Sequence, residues 1–126
     1  TVPYAIERAV EDISAVLRLA TGPATLFGFS SGAALALHAA SARLPITRLV
    51  ALEPAVDLDG TPDSAFTADL EGLIVAGRHA EAIEFFHRAI GVTEEWVLGL
   101  RTHPAWEGMQ ALAPTLLYDT VITDAV

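Results

Sequence analysis

Cysteine is absent from this 126-residue chain, which rules out disulfides and thiolate chemistry and makes a reducing, cytoplasmic setting the expectation. Basic residues are scarce. Seven arginines, with no lysine, stand against 16 aspartates and glutamates, a formal charge of −9. Nucleic acid and anionic membrane surfaces both attract basic patches, so neither is an expected partner. No uninterrupted apolar run is long enough to span a bilayer. Repeats and low-complexity segments are missing as well. The four histidines are scattered, with no His-Glu-x-x-His spacing, so no metal site is expected. The one short glycine-bounded loop lacks a Gly-Lys-Ser/Thr ending, which disfavours nucleotide binding and leaves no cofactor expected. What remains is a 52% hydrophobic composition on a length that suits a folded core.

One pentapeptide stands out, Gly28-Phe29-Ser30-Ser31-Gly32. A serine that serves as a nucleophile must be pushed out of the chain at a sharp strand-to-helix turn, in a strained backbone conformation. Side chains two residues before and after it would collide there, so glycine is expected at both Gly28 and Gly32. With glycine and serine each near about 7% of residues, chance yields this pattern in about 4% of chains of this length. Context therefore has to decide. Ala24-Thr25-Leu26-Phe27 reads as a short buried strand, and the run from Ser31 to Leu44 reads as a helix. That is the strand–turn–helix setting the chemistry needs.

The rest of the chain sorts by periodicity. Ile6, Ala9, Val10, Ile13, Val16, Leu17 and Ala20 recur at helical steps over residues 3–20, and Gly22 and Pro23 stop that helix. The helix after Ser30 is apolar almost all round, which implies burial on most sides, and Pro45 is expected to close it. Residues 47–52 read as a second strand, making a βαβ unit with parallel strands. A polar turn comes next, over residues 57–63. Beyond it the pattern is entirely helical, with ends expected at Gly77 and Gly91, a start at Thr93, and breaks at Pro104 and Pro114. Two parallel strands alone would leave both edges bare, so the expected piece is internal to a longer protein.

Three stretches carry a family resemblance. Residues 4–12, the segment Phe27 to Leu37 around the pentapeptide, and Leu52-Glu53-Pro54 resemble the central part of bacterial α/β-hydrolase fold proteins. Trp106 and Leu117-Tyr118-Asp119 look like the end of the helical cap in the same group. The resemblance implies a partial α/β-hydrolase fold: residues 1–56 as part of the sheet layer with its nucleophile elbow, and 57–126 as a helical cap. It also implies a serine hydrolase with Ser30 as nucleophile and the Ser31 backbone N–H as one oxyanion-hole donor. Members of the group often carry histidine just before the nucleophile, where this chain has Phe29. The earlier strand that supplies a second oxyanion donor, and the later acid and histidine, have no counterpart in these 126 residues.

Among the four histidines, His38 lies eight residues along the elbow helix from Ser30, about 12 Å along its axis, so geometry excludes it as the base. His79, His87 and His103 read as surface or helix-end residues of the cap. Glu53, just past the second strand, stands where some members of the fold take the triad acid. The preferred reading is a loop glutamate held by Pro54 and bonded to nearby backbone, with the acid downstream, and Asp57, Asp59, Asp119 and Asp124 are weaker candidates. Phe29, Phe85, Phe86, Trp96 and Trp106 are either pocket lining or plain core. The expected activity is hydrolysis of an ester, thioester or related small acyl compound by the full-length parent, with the fragment alone inactive. Acyl transfer or lyase chemistry on the same serine is an alternative. A non-catalytic helical interaction protein is another, and it would leave the paired glycines without a role.

Overall fold

The computed structural model describes residues 4–56 and 63–125. The polar turn expected over residues 57–63 lies, apart from Asp63, outside them, as do Pro3, Asp57 and Asp59. The described residues form two compact units, one of residues 4–56 with 121–125 and one of residues 63–120.

In the first unit, helix α1 (Ile6–Leu17) precedes strand β1 (Ala24–Phe29), helix α2 (Ser31–Ser41) and strand β2 (Ile46–Leu52). The strands pair in parallel, with Phe27 opposite Val50 and Phe29 opposite Leu52. This is the βαβ unit the sequence predicts. Ala33, Ala34, Ala36 and Ala39 are buried, and their small side chains let α2 lie close against both strands while α1 packs on α2. Among the described residues the sheet has these two strands only, so each presents an unpaired edge.

The helix ends differ from expectation. α1 is shorter than residues 3–20, and Val16, placed by periodicity on its inner face, is exposed. α2 stops at Ser41, before Pro45 can act. Arg43 turns left-handed at φ 59°, its N–H reaching the Ala40 carbonyl and the Leu44 N–H reaching that of Ala39. Those two bonds satisfy the orphaned carbonyls of the last turn. Gly77 (φ 71°) and Gly91 (φ 86°) end two later helices through the same bond pair.

The second unit is helical: α3 (Ser64–Val75), α4 (His79–Ala89), α5 (Glu94–Leu100), α6 (Trp106–Leu112), a 3₁₀ turn (Ala113–Thr115) and the first residues of α7 (Leu116–Asp124). The Asp63 carboxylate accepts the Phe66 N–H at 2.9 Å and so caps α3. Pro104 and Pro114 break the pattern as expected, Pro114 inside the 3₁₀ turn. Ile83, Leu100 and Ala113 form a buried cluster, with Trp106, Met109 and Leu116 packed on it. Leu70 and Val97 are fully buried, and Phe66 stacks on Phe85 at 5.2 Å. The buried Glu84 carboxylate is paired, 2.5 Å from the Arg101 guanidinium and 3.5 Å from that of Arg88. Burial without such partners would be costly.

Candidate active site

Ser30 stands alone between the last residue of β1 and the first of α2. Its backbone has φ 53° and ψ −125°, a region that residues with side chains rarely enter. Only Arg43 and Glu53 share a positive φ among the other described non-glycine residues.

Gly28 explains how the chain makes the turn. A Cβ built there would sit 2.3 Å from the Gly32 carbonyl oxygen and 2.6 Å from the Ala33 Cα. Both are backbone atoms, so nothing can swing aside. Strand and helix can approach this closely only if residue 28 has no side chain. Gly32 differs from expectation. A Cβ there meets nothing within 4 Å among the described residues, because position 32 faces outward from the first turn of α2. The steric demand for glycine is one-sided.

Backbone bonds hold the strained residue. The Ser30 N–H donates to the Leu52 carbonyl at 3.1 Å. The Ser30 carbonyl accepts from Ala33 at 2.9 Å, Ala34 at 3.2 Å and Ala55 at 3.3 Å. Ser30 is half-buried, and its hydroxyl does not cap the helix and has no hydrogen-bond partner among the described residues. The Ser31 N–H, at the start of α2, donates to no backbone carbonyl among them. Side by side at a helix start, such a hydroxyl and N–H are the groups that nucleophilic attack and oxyanion stabilisation call for once a base takes the hydroxyl proton.

The other sequence candidates fall in separate places. His38 lies in the last turn of α2, with its Nε2 buried and unpartnered among the described residues. His87 bonds the Ile83 carbonyl within α4 at 2.7 Å, and His103 Nδ1 accepts the Ala105 N–H at 3.1 Å. The Glu53 carboxylate is exposed and makes no hydrogen bond among the described residues, so the expected bond to nearby backbone is not there. Asp119 and Asp124 lie in α7.

The aromatic candidates divide. Trp106 packs on the helical core, and Phe86 lies between Phe66 and His87, with ring centroids 6.0 and 5.9 Å away. Phe29 is 55% exposed on the sheet, and Trp96 is 58% exposed. Trp96 lines an open cleft of about 390 Å³ with Thr93, Glu95, Gly99, Leu100 and His103. Among the described residues no group of His, Cys, Asp and Glu side chains has metal-binding geometry, and no helix is long and apolar enough to cross a membrane.

The holding atoms of Leu52 and Ala55 are what sequence reading missed. They act through a carbonyl and an N–H, which leave no side-chain signature. The one visible hint is Glu53-Pro54 directly after a strand.

Neither a family model nor a curated protein matches this chain. A solved structure does: an α/β hydrolase from Sphaerobacter thermophilus DSM 20745, 40% identical, superposes with a TM-score of 0.85 over 97% of this chain and 49% of its own. This chain is therefore α/β-hydrolase-like, with a partial α/β-hydrolase fold that spans about half the length of that protein.

Proposed function

We propose that Ser30 is the nucleophile of a serine hydrolase acting on an ester, thioester or related acyl compound. The observation that carries this reading is the backbone of Ser30, at φ 53° and ψ −125° on a strand-to-helix turn with its hydroxyl unbonded among the described residues. Such strain persists only where surrounding structure over-determines it, and it concentrates at functional sites.

In the proposed reaction the Ser30 Oγ adds to the substrate carbonyl carbon and its proton passes to a histidine base. The carbonyl oxygen becomes an oxyanion, held by the Ser31 N–H and a second donor. Collapse expels the alcohol or thiol, which leaves with the proton from the base. Water then adds to the acyl-enzyme, releasing the acid and restoring Ser30. We assign the base, the acid and the second oxyanion donor to residues outside this chain, and residues 57–126 to a helical cap region. His38 is too far along α2 to serve as base.

The reading is tested with the protein as its gene encodes it and a nitrophenyl ester. The expected result is a burst of nitrophenol, an acyl adduct on the Ser30 peptide, and loss of both in Ser30→Ala. Turnover that persists in Ser30→Ala would refute it, as would turnover by the 126-residue chain alone for the assignment of base and acid elsewhere. Partition of the product between water and an added alcohol separates hydrolysis from acyl transfer.

A further inference from the structure

Two of the strained residues in the first unit are joined. Ser30 (φ 53°) and Glu53 (φ 45°) each sit one residue past the end of a strand, and those strands are paired neighbours. The Ser30 N–H is anchored on the Leu52 carbonyl, immediately before Glu53, and its carbonyl accepts the Ala55 N–H, two residues after it. A residue keeps an unfavourable φ and ψ only when the peptide planes on both sides of it are fixed. Here one plane is pinned by the last residue of β2. The other is pinned by the first turn of α2 and by Ala55 together.

For the Ala55 N–H to come back to Ser30, the chain must reverse sharply after Leu52. The left-handed conformation of Glu53 makes that reversal, and the restricted φ of Pro54 directs the chain on toward Ala55. The Glu53 carboxylate is exposed and makes no hydrogen bond among the described residues, so the turn does not depend on it there. We propose that Glu53 is a positioning residue for Ser30, acting through its left-handed backbone and not through its carboxylate. The turn over residues 53–55 locks the elbow from the neighbouring strand, so that the hydroxyl is presented in one orientation. This inference rests on the reading of Ser30 as the nucleophile.

A substitution series in the gene-encoded protein separates backbone from side chain. Glu53→Gln and Glu53→Gly both remove the carboxylate, and neither opposes a positive φ more than glutamate does. Glu53→Val puts a β-branched residue where a positive φ is strongly disfavoured. The expected result is that Gln and Gly capture a fluorophosphonate at Ser30 as fast as wild type. Val is expected to slow capture and kcat by about tenfold, with KM changed by less than about twofold. Equal losses in all three variants would overturn the proposal in favour of a working carboxylate. A Val variant indistinguishable from wild type would overturn it because the turn then holds nothing. Hydrogen exchange at the Ser30 amide gives a readout that does not need catalysis. Faster exchange in Val alone supports the lock, and unchanged exchange contradicts it. Failure of the wild type to capture the probe defeats the nucleophile reading instead, while the exchange series still judges the turn.

Discussion

The helical unit and the strand-bearing unit solve the same problem in opposite ways. The helical unit closes its own core, with Leu70, Val97, Ile83 and Leu100 buried and its one buried carboxylate, Glu84, paired with arginine. Among the described residues the strand-bearing unit covers only one face of its sheet. Phe27, Val50, Phe29 and Leu52 line the other and are 61%, 47%, 55% and 49% exposed. Yet the candidate chemistry lies there. The difference teaches that the elbow adds specific backbone contacts to the burial of Gly28, Ala33 and Ala34 around it. Its shape comes from one close backbone contact at Gly28 and from hydrogen bonds to the end of β2.

That comparison can be broken at its strongest point first. Leu70→Ala should cost the helical unit about 2–5 kcal/mol, because a fully buried side chain leaves a cavity. Denaturant unfolding followed by circular dichroism measures it, and a loss under about 1 kcal/mol would mean that this core is looser than described. In the strand-bearing unit the paired glycines should separate. Gly28→Ala should cost about 3 kcal/mol by forcing strand and helix apart, whereas Gly32→Ala should be neutral or stabilise by up to about 1 kcal/mol. Equal costs at the two positions would contradict the one-sided contact.

Arg43→Gly sharpens the picture from the stabilising side. Relief of the left-handed strain at the end of α2 should add about 1 kcal/mol, read as a higher unfolding midpoint. The smallest effect concerns pH and belongs to the helical unit. Hydrogen bonds from Arg78 and Arg88 hold the Glu81 and Glu94 carboxyls below the ordinary carboxylate range. Depressed folded-state values mean that these pairs add stability above the unfolded value and lose it as pH falls through the folded one. Both carboxylates are exposed, so the slope should be shallow and should flatten further in Glu94→Gln. A titration of the unfolding midpoint between about pH 5 and pH 3 checks it.

Most of the architecture was legible because periodicity and turn chemistry agree along the chain. Gly77 and Gly91 end helices where glycine is expected to, and the apolar alanine run of α2 is buried as its pattern requires. Arg43 escaped notice because it does a glycine's work with a side chain. Trp96 and Trp106 share a helical context, and spacing alone does not tell which packs on a core and which faces an open cleft. At the candidate site the motif was readable and its support was not. Side-chain reasoning pointed to a strained turn at Ser30 and a close approach at Gly28, and both are there. It gave Gly32 a steric role for which no neighbour stands among the described residues, and it weighed Glu53 by its carboxylate alone, with no sign of the positive φ found there.

The most direct test of the central claim is to treat the gene-encoded protein with a fluorophosphonate and locate the adduct by peptide mass spectrometry. The account predicts stoichiometric modification of Ser30, none at Ser31, and none at all after Ser30→Ala. An unmodified Ser30 in folded protein, or an adduct on another serine that survives Ser30→Ala, would contradict it.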